Sequence, residues 1–243
     1  MSIQKHFSKI LVTDLDGTLI GEGNAMRSLL SWCYARQDML VVYNTARTWA
    51  SARSLLNELA LPWPDSLVTG IGTEIRHGWG KEPDPVWTHR IAARWDRRAV
   101  EQIAAGIGHG IAMQPSLAQS TFKVSFEIEN PAVARKFFSG VRKARLWVHG
   151  LLTDDRWLDV IPFRAGKGVA AAYLRVRYGI LPVNMLVSGD SENDFGMLSR
   201  LGPAVVVGNA SRSLVERLST VVYRARLPAA AGIWEGLQHF GWC

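Results

Sequence analysis

At 243 residues, 48% apolar and 20% charged, the chain is long enough for one large domain or for a main domain carrying a smaller insertion. No stretch approaches the ~20 apolar residues of a membrane span, and the opening "MSIQKHFSKILVTD" runs from a short apolar segment straight into acidic residues, so no signal peptide and a soluble, cytoplasmic protein are expected. The formal charge of +7 and a pI of 9.7 favour an anionic partner, but the arginines are spread along helix-like segments and form no nucleic-acid motif. In chain order, the strand-like "ILVTD" precedes the helical spacing of "NAMRSLLSWCYARQ". The run "MLVVYNT", the helix-like "WASARSLLNELA" and the short run "DSLVTG" follow. This β-α-β-α-β order, with near-continuous apolar strands, predicts an α/β fold with a doubly wound, Rossmann-like parallel sheet.

The pattern breaks at the Gly/Pro-rich "GWGKEPDPVW" and resumes after "VIPFRAGKG". Between them come "WDRRAVEQIAAGI" as a helix, "FKVSFEIE" as an alternating strand, "PAVARKFFSGVRKA" as a helix with Pro at its start, and the strands "RLWVHG" and "RWLDVIP". An inserted α+β domain is therefore expected at 81–161, between core segments 1–80 and 162–243. The last third alternates again, through "GKGVAAAYLRVRYGI", "MLVSGD", "NDFGMLSRL", "AVVVGN", "SLVERL", "TVVYRA" and "GIWEGLQHF". Cys33 and Cys243 sit in no metal or disulfide spacing. Of ten tryptophans, four fall between residues 79 and 147, where an aromatic face for sugar rings is the alternative to core packing.

The chemistry concentrates where strands end. Asp14 and Asp16 lie one residue apart at the close of the first strand, where open α/β sheets bind ligands. Two such carboxylates raise one another's pKa unless a cation lies between them, and magnesium suits hard oxygen ligands. Taken alone, Asp-Leu-Asp-Gly also serves as a turn or helix cap. Asp190 follows another buried strand, with Asn193 and Asp194 opening the next helix, so three or four carboxylates converge on one crevice.

These segments resemble the motifs of the haloacid dehalogenase superfamily: "DLDGT" the first, "NTART" the second with Thr45, the lysine of "GKG" at Lys167 the third, and "GDSEND" the fourth. They occur in order, with the insertion between the second and third. Further stretches, "VTGIGTEIRHG", "FKVSFEI" and "LDVIPFRAGKGVAAAYL", resemble the sucrose-phosphate phosphatases and the related mannosylfructose-phosphate phosphatases. The second motif departs from the common pattern, with Ala46 in the place of a glycine.

The resemblance implies that Asp14 is the nucleophile and Asp16 the general acid and base. It implies a magnesium ion held by Asp14, the carbonyl of Asp16 and Asp190, with phosphate bound by Thr45 and Lys167 and with Asn193 and Asp194 orienting metal waters or Lys167. Substrate contacts are expected at Arg47, Glu74, Gln119, Lys123, Asp155 and Arg156, and the substrate is expected to be a disaccharide phosphate with a fructosyl part. Open alternatives are a broader phosphosugar phosphatase acting on trehalose, glucosylglycerol or mannosylglycerate phosphate, and a non-catalytic binding module. A monomer is expected, with the glycosyltransferase that makes the phosphorylated sugar as a candidate partner and with neither nucleic acid nor membrane.

Overall fold

The computed structural model describes residues 7–21 and 24–243; the opening "MSIQKH", on which part of the expectation of no signal peptide falls, lies outside the described residues. In chain order the first elements are β1 (Lys9–Thr13), α1 (Ala25–Ala35), β2 (Met39–Asn44), α2 (Trp49–Glu58), β3 (Ser66–Thr69), β4 (Glu74–His77) and α3 (Pro85–Ala92). Then come α4 (Arg97–Ile107), β5 (Ile111–Met113), β6 (Val124–Ile128), α5 (Pro131–Lys143), β7 (Val148–Thr153) and β8 (Trp157–Pro162). The chain closes with α6 (Lys167–Arg177), β9 (Met185–Gly189), α7 (Phe195–Leu198), β10 (Ala204–Val206), α8 (Arg212–Arg217), β11 (Tyr223–Arg224) and α9 (Ala229–His239).

Two sheets result. Seven strands in the order β11-β10-β9-β1-β2-β3-β4 form the core sheet, parallel except for β4, which returns antiparallel to β3. Side chains alternate across β1. Ile10 and Val12 enter one buried cluster with α6, while Leu11 enters another with α1 and α9. Both faces are thus covered, which is why the strands read as apolar runs. β1 lies between β2 and β9, with Thr13 opposite Tyr43 and Ser188, so the three strands end level. The residues just past those ends share one crevice.

The second sheet, β5-β6-β8-β7, is antiparallel throughout. Val124, Phe126, Leu158 and Val160 pack one of its faces against α4 and α5, leaving Ser125 and Asp159 on the other. Three elements escaped the sequence reading. β4 is only four residues long, and β5 has one half-buried residue and two exposed ones. α3 starts inside the Gly/Pro-rich break, where Asp84 caps the N–H groups of Val86 and Trp87. α3 packs with the core sheet, because Trp87 and Ile91 belong to the cluster that holds Ile75 and Ala170. Among the described residues no helix is long and apolar enough to cross a membrane.

Candidate active site

Asp14 follows β1 directly, and its N–H donates to the carbonyl of Ser188, which carries the sheet pairing one residue into the crevice. Gly17 then turns the chain at φ +74°. A Cβ there would stand 2.5 Å from Asp190 Oδ2, so a glycine is what lets the two acidic segments approach. Thr18 completes the turn, its hydroxyl donating to Asp190 Oδ1 at 2.9 Å.

Lys167 opens α6 and is fully buried, with Nζ 2.7 Å from Asp14 Oδ1 and 2.8 Å from Asp194 Oδ1. The other oxygen of Asp194 accepts the backbone N–H groups of Asp190 and Ser191. Asp194 thus ties the lysine to the loop after β9, and both its oxygens are used. Asn44, at the end of β2, donates to the carbonyl of Lys167 at 3.0 Å and fixes the start of α6.

One oxygen from each of Asp14, Asp190 and Asp194 falls within 4.8 Å of the others. Three carboxylates against one ammonium leave two negative charges uncompensated when all are ionised, and the donors are hard oxygens. That set fits a divalent cation, which Asp14 and Asp190 would hold. Burial, opposed by Lys167 and reinforced by Asp194, pushes the Asp14 carboxyl up to about 8. Burial and then Asp194 push Asp190 to about 6. Burial disfavours the charge of Lys167, but Asp14 and Asp194 outweigh it and its pKa is raised. The ammonium therefore persists, and Asp14 is the group strained by missing positive charge.

Thr45 is buried beyond β2, and its Oγ1 accepts the N–H of Arg47 at 3.1 Å. Arg47 forks onto Asp16 with Nε–Oδ2 2.7 Å and Nη2–Oδ1 2.8 Å. Asn193 lies on the same loop as Asp190, with its Oδ1 buried and lacking a hydrogen-bond partner among the described residues.

The second sheet reaches this crevice at one corner. Lys123 extends Nζ to within 3.4 Å of both the Ala46 carbonyl and Asp159 Oδ1. Thr48 Oγ1 donates to the Leu117 carbonyl at 3.0 Å. Gln119 sits close by, but its amide is committed to the backbone of Gln114 and Ser125. Glu74 lies at the same edge of the core sheet and binds Arg76, which in turn stacks on Trp49. Asp155 and Arg156 are not brought to the site. They form the β7–β8 turn, at the end of that hairpin away from the core, and Arg156 pairs with Glu127.

Sequence reasoning missed Asp159, Thr18 and Asn44. Asp159 alternates with the buried Leu158 and Val160 and stands opposite Ser125, so the strand pattern placed it on the open face without naming it. A cavity of about 620 Å³ lies beyond Lys167, lined by His149, Asn193 and Arg200 among others but by none of Asp14, Asp16, Thr45 and Asp190. The carboxylate cluster therefore locates the chemistry better than cavity size does.

The geometry agrees with the relatives. The sequence matches the family model described as sucrose-6F-phosphate phosphohydrolase over residues 7–241. A mannosylfructose-phosphate phosphatase of Agrobacterium fabrum is 30% identical over 241 residues, covering 96% of this chain and 97% of that protein. A probable sucrose-phosphatase of Arabidopsis thaliana is 32% identical over 255 residues; the alignment covers 97% of this chain but only 60% of the plant protein. Among solved structures, the sucrose-phosphatase of Synechocystis sp. PCC6803, in complex with sucrose and phosphate, superposes with a TM-score of 0.89 at 29% identity, covering 97% of this chain and 98% of that one. With the acidic cluster at the end of β1, these matches place the chain in the sucrose-6F-phosphate phosphohydrolase family of the haloacid dehalogenase superfamily, as a phosphoric monoester hydrolase acting on a sugar phosphate.

Proposed function

We propose that the protein is a magnesium-dependent phosphatase for a disaccharide phosphate with a fructosyl part, sucrose 6-phosphate or mannosylfructose phosphate, working through an aspartyl-phosphate. The observation that carries this reading is the buried Asp14–Lys167–Asp194 chain beside Asp190, a cluster short of two positive charges when all its groups are ionised. The names of the Agrobacterium and Synechocystis relatives supply the sugar.

In the proposed reaction Lys167 holds Asp14 Oδ1, which leaves Oδ2 to attack phosphorus. The bond from phosphorus to the sugar oxygen breaks, and Asp16 delivers a proton to that oxygen. Water then attacks the aspartyl-phosphate, Asp16 takes its proton, and phosphate leaves with Asp14 restored. Thr45 and Lys167 hold phosphate oxygens and offset their charge. Asp14, Asp190 and the carbonyl of Asp16 would hold the magnesium, with Asn193 and Asp194 orienting from behind; when bound, the ion neutralises phosphate charge and fixes its orientation.

The open face of the second sheet supplies the sugar contacts, through Lys123 and its partner Asp159 with Glu74 and Arg47 at the rim. Gln119 acts as a brace in this reading, and Asp155 and Arg156 are set aside as sugar contacts. In this reading residues 81–161 form the cap between core segments 1–80 and 162–243; α3 shares the core cluster through Trp87 and Ile91, which supports a movable part that starts after that helix. A cytoplasmic monomer, and association with a glycosyltransferase, complete the proposal.

The test is phosphate release from sucrose 6-phosphate, mannosylfructose phosphate, trehalose 6-phosphate and simple hexose phosphates, with magnesium or a chelator, for wild type and Asp14→Asn. Preference for one fructosyl disaccharide phosphate, lost on chelation and in the variant, is expected. Equal turnover of all the esters would remove the narrow substrate, and activity surviving in Asp14→Asn would remove the nucleophile.

A further inference from the structure

The group proposed to protonate the leaving oxygen is already engaged in this structure. Both Asp16 oxygens accept from Arg47, and the remaining guanidinium nitrogen, Nη1, donates to Ser51 Oγ of α2 at 3.0 Å. Bidentate arginine–carboxylate pairs are the most directional of the charged hydrogen bonds. Each carboxylate oxygen has two lone-pair positions, and the fork fills one on both and fixes the plane of the group toward Arg47, so Asp16 is not free to turn to a sugar oxygen as a proton donor. The first chemical step needs such a donor, which means that Arg47 must let go before the sugar can leave.

The surroundings allow that release. The Arg47 backbone is fixed, its N–H donating to Thr45 Oγ1 and its carbonyl accepting from Gly70 at 2.7 Å. Only the side chain is left to swing. The Arg47 and Asp16 side chains are 34% and 49% exposed, so water or sugar hydroxyls compete for both and the fork is weak enough to open. Arg47 also lies one residue from Ala46, whose carbonyl Lys123 reaches from the second sheet, so a sugar held there meets the guanidinium.

Resting on the assignment of Asp16 made above, we propose that the Arg47–Asp16 fork is a lock operated by the substrate. Hydroxyls of the leaving disaccharide take over the N–H groups of Arg47, and the freed Asp16 takes up a proton from water and carries it to the departing oxygen. After that transfer Asp16 is a carboxylate again, as the second step needs, and once the sugar has gone Arg47 re-forms the fork. Recognition of the leaving group thereby becomes a condition for proton donation. Small alkyl phosphates bind but leave the lock closed. Arg47 is in this sense a positioning residue that selects substrate through Asp16.

The test uses the full chain with magnesium and three esters: sucrose 6-phosphate, glycerol 3-phosphate, whose small alkoxide also needs a proton, and p-nitrophenyl phosphate, whose leaving group needs none. Arg47→Ala is expected to raise kcat/KM for glycerol 3-phosphate about two- to fivefold, the range of an exposed ion pair, while lowering it for sucrose 6-phosphate. For p-nitrophenyl phosphate, whose leaving group needs no proton, no gain is expected. Arg47→Lys, charged but unable to fork, should show the same gain. The gain should vanish when either change is combined with Asp16→Asn. A uniform fall on all three esters in both variants, no gain on glycerol 3-phosphate, or a gain that survives without Asp16 would overturn the lock. Full activity of Asp16→Asn alone on sucrose 6-phosphate would instead remove the underlying assignment.

Discussion

Asp14→Asn should abolish turnover and, in the absence of divalent cations, make the protein more stable. The wild-type carboxyl is pushed from 3.8 to about 8, chiefly by burial, with the charge of Asp194 adding to it and only part recovered by Lys167. At pH 7, where the unfolded carboxyl is ionised and the folded one still holds its proton, this costs the fold about 4 kcal/mol at most, at ~1.4 kcal/mol for each tenfold change in proton affinity. Asparagine keeps the shape and an oxygen for Lys167 but loses the charge assistance of that bond, so about 1–3 kcal/mol of the relief should remain. For a chain of this length that is a rise in Tm of about 3–10 °C. The sign with pH follows from proton counting. Below 3.8 the group is protonated in both folded and unfolded chains and costs nothing; as pH rises toward about 8 the unfolded chain has released its proton and the folded one still retains it, so wild-type stability falls. The advantage of Asp14→Asn should therefore be near zero at pH 4 and fully developed by pH 8. A divalent cation at about one hundred times its Kd returns about 2.7 kcal/mol to the wild type and should cancel the difference. Thermal unfolding of both proteins from pH 4 to 8, with chelator and with magnesium, measures all of this. A variant that is less stable than wild type in chelator at pH 8, or a difference that does not change with pH, would refute the reasoning.

Lys167→Met should behave in the opposite way. It removes the buried ammonium between Asp14 and Asp194, which costs about 3–5 kcal/mol in metal-free protein near neutral pH and less in acid, where the carboxyls take up protons; denaturant unfolding at pH 5 and 8 reads the difference, and equal losses at both would count against it. Asp159→Asn takes the anion from Lys123 at the sugar-facing corner and should raise KM about three- to tenfold with kcat kept, whereas a fall in kcat at constant KM would place Asp159 in the chemical step. Arg156→Ala breaks an exposed pair with Glu127 and a stacking contact with the Trp157 ring, so stability should fall by about 1 kcal/mol or less and the kinetics should not change; a tenfold loss of kcat/KM would return the β7–β8 turn to the site.

The placement of the motif residues was legible because they sit at the ends of apolar strands, a place that sequence reports well. Asp14, Thr45 and Asp190 follow β1, β2 and β9, and the level ends of those three strands do the rest. Lys167 was legible for a different reason, as the first residue of a helix opened by glycine, though nothing in "GKG" says that its amine is shared between Asp14 and Asp194. The second sheet was harder to read. β5 is short and exposed, β7 begins three residues later than "RLWVHG" suggested, and α3 hides in a stretch whose prolines and glycines looked like a linker.

The proposed substrate contacts were the least legible, because they depend on which end of a hairpin faces the core. Asp155 and Arg156 carry the right chemistry on a turn that points away, while Asp159, a few residues along the same strand, lies beside Lys123. Tertiary placement also decides what a polar side chain has left to offer. Gln119 is near the site yet spends its amide on Gln114 and Ser125, and Arg47 is within reach of a sugar but grips Asp16 until something replaces it. In the proposed reaction the core fixes which bond is cleaved, whereas the choice of sugar rests on polar groups whose hydrogen bonds must be exchanged when the ligand binds. An exchange of that kind leaves no periodicity, spacing or composition to read.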